Sequence, residues 1–210
     1  MPAFINTIDI LGDDAVLDRI IDRSITEFKD DVITSLGQNA LRNCSNLIHV
    51  DLPSVTAVGR EAFAKCTALN YVNLPIANNI SNMVFDHCSS LISITLPAAT
   101  AITDYCFRSC TGLVSVDLSQ VTNIYRAFSS CTSLVSLILR SETVVTLGNA
   151  SAFEGNTPIA SGTGYIYVPA SLVDSYKAAT NWSTHAAQFR ALEDYTVDGT
   201  ITGELNETMI

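Results

Sequence analysis

His49 and Asp51 stand two residues apart in His49-Val50-Asp51. On an extended chain, side chains at i and i+2 lie on one face, so the carboxylate could orient the imidazole as a base. No nucleophile column accompanies the pair, apart from serines spread along the chain. The other two histidines are His87 and His185. Six cysteines are the remaining reactive groups: Cys44, Cys66, Cys88 and Cys110 recur every 22 residues, Cys131 follows after 21, and Cys106 is extra. No C-x-x-C pair of a zinc site is present, nor a metalloprotease, nucleophile-elbow, Walker or EF-hand pattern. Gly162-Thr163-Gly164 lacks a third glycine and a following helix, which discounts phosphate binding. These residues predict no enzyme, no cofactor and no metal; His49 and Asp51 read as structural or ligand-contact residues.

The even spacing of the cysteines leads to what positions everything else. Residues 33–54, 55–76, 77–98, 99–120 and 121–141 are tandem copies of one 22-residue unit, the last a residue short, with the skeleton V-T-x-I-G-x-x-A-F-x-x-C-[ST]-x-L-x-x-V-x-L-P. A period of this length predicts a solenoid, whose units bury their apolar residues against one another. Leu47-x-x-Val50-x-Leu52 and its counterparts, down to Leu134/Leu137/Leu139, place their last two members two apart, both inward from one strand. The strands stack into a parallel sheet, one per coil. Proline at 53, 75 and 97 ends the strand because it lacks an N–H. Leu36, Val58, Ile80, Ile102 and Ile124 form a second apolar column; glycine follows in only two units (Gly37, Gly59), so a left-handed backbone there is not obligatory. Phe63, Phe85, Phe107 and Phe128, with Leu41 ahead of them, fill the wide part of the coil beside a short helical turn ending near the Cys. Stacked cysteines have parallel Cβ vectors, poor for disulfides, so the column reads as buried thiols.

The unit I-G-x-x-A-F-x-x-C-x-x-L-x-x-V-x-L-P resembles the leucine-rich repeats of the BspA-like, Treponema type, strongly over 33–141 and weakly over 24–32 and 142–170. The resemblance implies a right-handed leucine-rich-repeat solenoid of about six coils: an α/β repeat with one parallel strand per coil, short helical turns opposite, and helical caps. It also implies membership among adhesins and other surface-binding proteins of bacteria, protists and phages.

Around the repeats the chain divides into an acidic N-terminal cap (1–32), a degenerate last coil (142–170), a helical C-terminal cap (171–194) and an acidic tail (195–210). In the first, Asp13 and Asp14 open a helical stretch and SITEF (24–28) reads as half a repeat, with Phe28 on the column of Val50. In the last coil, Ala152-Phe153 and Tyr165–Pro169 echo the skeleton, and 155–164 is a loop by its Gly, Pro and Ser content. Ser171 is expected to cap a helix over SLVDSYKAAT, and NWSTHAAQFRAL to add a second helical segment. Leu172, Val173, Tyr176, Trp182 and Phe189 would close the solenoid. The pattern from Val168 to Trp182 resembles a C-terminal module that follows such repeats in proteins of gut bacteria and their phages.

Net charge is −10, with −5 in residues 1–32, +1 in 33–141 and −6 in 142–210. A near-neutral solenoid between acidic ends argues against nucleic acid, which needs a basic stripe. No apolar run approaches the ~20 residues of a membrane span, so no membrane insertion is expected. The opening MPAFINTIDILGDD has no basic start or long apolar core, so no Sec signal is expected.

Two columns should face outward from the sheet: His49, Tyr71, Ser93, Ser115 and Ser136, and Asp51, Asn73, Thr95, Asp117 and Ile138. Small polar groups with one aromatic suit a protein or glycan surface ligand. The contact candidates are His49, Asp51, Tyr71, Asn73, Ser93, Thr95, Ser115 and Asp117. The expected function is a non-enzymatic binding or structural module: a virion or tail-associated phage protein that recognises a host surface, with the acidic ends free to meet other virion proteins. The alternative is a bacterial cell-surface adhesin exported by a route other than Sec. A glycan-acting enzyme is disfavoured because the repeat face lacks a carboxylate pair.

Overall fold

Each repeat makes one coil, and the coils stack through parallel strands whose register follows the repeat. The computed structural model describes residues 23–195; the helix expected at 13–21 and the tail beyond Tyr195 lie outside these residues. In chain order the strands are β1 (Glu27–Lys29), β2 (Ser35–Leu36), β3 (His49–Asp51), β4 (Ala57–Val58), β5 (Tyr71–Asn73), β6 (Asn79–Ile80), β7 (Ser93–Leu96), β8 (Ala101–Ile102), β9 (Ser115–Leu118), β10 (Asn123–Ile124), β11 (Ser136–Leu139), β12 (Thr146–Leu147), β13 (Tyr165–Val168) and β14 (Phe189–Ala191).

The odd-numbered strands, joined by β14, form the main face, in two panels: β1-β3-β5 and β7-β9-β11-β13-β14. The even-numbered strands add a second, two-residue strand to each coil, in ladders β2-β4-β6 and β8-β10-β12. This second strand uses the column Leu36 to Ile124, read from sequence only as an apolar position. Phe28 pairs with Val50, and Val50 with Val72, so residues 24–29 do act as half a coil.

A third seam runs along the opposite side, which carries tight turns; among the described residues the helical pieces begin only at Ala150. N–H groups there alternate between bonds inside the turn and bonds to the next coil. Glu61, Phe63 and Lys65 donate forward to the carbonyls of Asn82, Val84 and Asp86, while Ala62, Ala64 and Cys66 close turns within their own coil. This alternation places two residues per turn in the left-handed region: Asn39, Glu61, Met83 and Tyr105 at the first position, and Asn43, Lys65, His87, Ser109, Ser130 and Gly155 at the second. The glycines of the skeleton are not among them. Gly59 is needed for close approach: a Cβ there would lie 2.5 Å from the Gly37 carbonyl carbon.

The one-residue deletion of the fifth unit also falls in this turn. Ile102 pairs with Ile124 at the full period, but Phe107 donates to Ala127, one residue early. The first left-handed residue is therefore the one lost. The sheet absorbs the change without a slip, Val116 pairing with Leu137.

The core is a set of columns. Phe63, Phe85, Phe107, Phe128 and Phe153 stack with centroids 5.3–5.6 Å apart and planes within 7°. Beside them all six cysteines are free and buried. The thiols also donate hydrogen bonds: Cys66, Cys88, Cys110 and Cys131 reach the carbonyls of Leu41, Phe63, Phe85 and Phe107 in the preceding coil, at 2.9–3.2 Å. Burial holds them protonated, pushing Cys131 up to about 12.

The last coil and the C-terminal cap depart from expectation in three places. After Pro169 the chain takes a 3₁₀ turn, Ala170–Leu172, and the helix is Val173–Ala178, with no side-chain cap from Ser171. The segment after Asn181 is 3₁₀ only to Gln188; Phe189–Ala191 then pairs parallel with β13, whose edge groups would otherwise lack partners. Within the insert, Pro158–Ser161 forms one helical turn, because the Thr157 hydroxyl accepts from the Ala160 N–H at its start. The cap also substitutes for a missing coil beside β12. The Trp182 indole donates to the Val145 carbonyl (2.6 Å), the Tyr176 hydroxyl accepts from the Val145 N–H (2.9 Å), and Asn181 donates to the Leu147 carbonyl (2.7 Å).

Three substitutions test this packing in urea denaturation. Phe85→Ala removes the middle of the stack and should cost about 3–5 kcal/mol, whereas Ser93→Ala on the outward face should cost less than about 0.5 kcal/mol; equal losses would refute the inward and outward assignment. Trp182→Phe keeps an aromatic side chain but loses the indole N–H and part of its volume, leaving the Val145 carbonyl unpaired, and should cost at least about 1–3 kcal/mol.

Candidate functional site

The outward face of the main strands is where side chains are released from packing, since alternate residues of β3 to β13 point away from the core. The expected columns are present: His49 aligns with Tyr71 and Asp51 with Asn73 on one panel, and Ser93 with Ser115 and Thr95 with Asp117 on the other.

His49 and Asp51 are not joined to each other. The His49 ring packs on Tyr71, centroids 4.2 Å apart, and Asp51 accepts a hydrogen bond from the Asn73 amide at 2.8 Å. Side chains two residues apart along a strand are roughly 6.5–7 Å apart, whereas those facing across parallel strands are nearer 4.8 Å. Each group therefore pairs with the next coil, and the imidazole–carboxylate unit considered from sequence does not form. Val72, between Tyr71 and Asn73, is only half-buried, unlike Val50 and Ile94, and the main sheet is interrupted here between β5 and β7.

The second panel differs from expectation. Ser93, Thr95 and Ser115 present small hydroxyls. Asp117 is committed: Arg140 grips it through Nε (2.8 Å to Oδ1) and Nη2 (2.7 Å to Oδ2). Ser136 and Ile138, placed outward by their spacing, are buried at 7% and 3% exposure. Beside them lie aromatic groups that the sequence columns omitted. Tyr165 and Tyr167 continue the columns from Ser136 and Ile138. Tyr195 packs edge-on against Tyr167 at 4.8 Å, and the Arg190 guanidinium lies 4.3 Å over the Tyr165 ring. The alternation Tyr165-Ile166-Tyr167-Val168 was the signal for two of these; Arg140, at the proline position of its unit, Arg190, in β14, and Tyr195 lie outside the two outward positions of the repeat strand, so its spacing did not point to them.

The electrostatics follow from this packing. Burial, then the charge of Lys29, lowers the His49 pKa, against the pull of Glu27 and Asp51. Burial, then Asp51, raises Tyr71, and burial also raises Tyr167 and Tyr195. The face thus offers a neutral imidazole, protonated phenols and fixed amide, carboxylate and hydroxyl groups. Such an array can stack and hydrogen-bond a ligand. Among the described residues, no cluster of three or more His, Cys, Asp or Glu could hold a metal ion.

Comparison with protein families matches residues 34–160 to the BspA type leucine rich repeat region, in six copies. The chain belongs to this family. Among solved structures, this BspA-type chain is similar to a leucine rich cell surface protein of Faecalibacterium prausnitzii, with 29% identity and a TM-score of 0.51 over 56% of this chain and 33% of that one. It also shares its fold with the pneumococcal vaccine antigen PcpA, with 12% identity and a TM-score of 0.52 over 80% of this chain and 40% of the other. The chain thus spans about a third of the Faecalibacterium protein's length and two fifths of PcpA's. A comparison with the curated proteins found no match. No helix among the described residues is long and apolar enough to cross a membrane.

The histidines provide a check. His185, packed edge-on against Phe153 at 5.1 Å, is also lowered by burial. A lowered imidazole means that the unfolded chain binds the proton first as pH falls. Stability from both groups is present above the ordinary value of 6.5 and is lost as pH drops through the lowered folded values. NMR titration should give midpoints below 6.5 for His49 and His185; a midpoint above it at His49 would mean that Glu27 and Asp51 outweigh burial and Lys29.

Proposed function

We propose that this BspA-type chain is a non-enzymatic recognition module that binds a ligand on a cell surface through the outward face of its main sheet. One observation carries the reading. The cysteines, the phenylalanine stack and the turns are committed to coil-to-coil contacts, while the face from His49 to Tyr167 gathers aromatic and hydrogen-bonding groups over rigid strands. A ligand there meets groups already held in place, which lowers the entropy lost on binding.

Two placements of the module follow from different observations. Similarity to a leucine rich cell surface protein supports a bacterial surface adhesin. The resemblance of Val168 to Trp182 to a module that follows such repeats in proteins of gut bacteria and their phages, with an opening that has no basic start or long apolar core, supports a virion or tail-associated protein that recognises its host.

Flow cytometry of the fluorescently labelled protein on intact bacterial cells tests the reading. At least one of two face variants, His49→Ala/Tyr71→Ala or Tyr165→Ala/Tyr167→Ala, should lower binding tenfold or more, while Lys65→Ala on the turn side should not. Equal binding by all three would overturn it. Detection in purified virions, or by surface labelling of intact bacteria, decides the placement.

A further inference from the structure

The proline that ends each strand is missing from two consecutive coils. Pro53, Pro75 and Pro97 are followed by Ser119 and Arg140, and proline returns only at Pro169. Where the column lapses, the rim of the solenoid opens into a shallow cleft of about 410 Å³.

Its chemistry is specific. The walls carry the Ser119 and Ser141 hydroxyls, the Gln120 amide and the Glu142 carboxylate. Gln120 and Glu142 are exposed and Ser119 is half-buried, so their polar groups are within reach of a ligand. The cation of the cleft, Arg140, already has its Nε and Nη2 on Asp117. The cleft therefore holds no spare positive charge for a phosphate, a sulfate or an acidic sugar, and it is too polar for an apolar ligand.

Arg140 also links the cleft to the aromatic part of the face. Tyr195 lies near enough to Asp117 and Arg140 for both charges to act on its hydroxyl, and it packs on Tyr167. Hydroxyl, amide and carboxylate groups line the cleft, and the tyrosine rings lie beyond it, past the Arg140–Asp117 pair; together they match what successive pyranoses need, partners for equatorial hydroxyls and a ring for a C–H face. The volume is within the range of small-molecule sites, ~300–1,000 Å³.

We propose that this cleft, continued by Tyr167 and Tyr195, is the subsite for a short neutral oligosaccharide of a surface glycan. The inference rests on the reading of the chain as a binding module. It adds the ligand class and places it on the C-terminal panel rather than at His49 and Tyr71.

The test is calorimetric titration of the full chain with neutral hexose and N-acetylhexosamine oligosaccharides, alongside sulfated and sialylated counterparts. Ser119→Pro restores the proline of the repeat and removes one hydroxyl from the cleft wall; it should leave Tm unchanged and weaken neutral-oligosaccharide binding tenfold or more. Tyr167→Ala should weaken it similarly, and Lys65→Ala should not. If Ser119→Pro lowers Tm, Gln120→Ala/Ser141→Ala decides in its place, with the same loss expected. Binding of the anionic counterparts alone, or of no oligosaccharide, would overturn the inference. So would neutral binding that survives the cleft variants but is lost in His49→Ala/Tyr71→Ala. In these cases continued, face-dependent binding to cells leaves the recognition reading standing; loss of both ends both.

Discussion

Each of the first four coils turns three N–H groups toward its successor, and the successor presents three carbonyls to receive them. Leu41, Phe63, Phe85 and Phe107 are the middle donors of this seam. A buried backbone group without a partner is costly, so no coil is satisfied alone and the array is stable only as a stack. The other columns follow from this constraint. Coil spacing brings the phenylalanine rings into near-parallel contact. The carbonyls of Leu41, Phe63, Phe85 and Phe107, which already accept from a backbone N–H in their own turn, accept a second bond from the thiol of the next coil. Cysteine suits that place because it is small, apolar enough for the core and still able to donate.

A stack with such needs must be ended. At the C-terminal end the cap does so with side chains. Trp182, Tyr176 and Asn181 supply to Val145 and Leu147 the donors and acceptor that a further strand would have supplied. Trp182 and His185 close the phenylalanine stack on Phe153, and β14 covers the edge of β13. The large aromatics of the C-terminal region are thus used where repetition stops.

Because packing consumes the inner columns, specificity is left to the positions that face out. These are not uniform. One panel pairs His49 with Tyr71 and Asp51 with Asn73; the other passes from small hydroxyls to an Arg140–Asp117 pair and a group of tyrosines. Variation at single outward positions changes the face while the coil-to-coil bonds stay the same, which is how one scaffold can serve different ligands.

The repeat by itself determined the solenoid, the inward columns, the buried thiols and the two outward columns through Asp117, because each is a property of spacing within one unit. Even the half coil at Phe28 was legible, since it obeys the same period. Tertiary structure alone decided three things. Cross-coil neighbours are nearer than neighbours along a strand, so His49 went to Tyr71 and Asp51 to Asn73. Segments outside the period took their form from the edges they cover, so Phe189–Ala191 became a strand instead of helix. The character of the second panel was set by Arg140, Arg190 and Tyr195, which come to the face from different places in the chain, and spacing within a unit does not encode such a meeting.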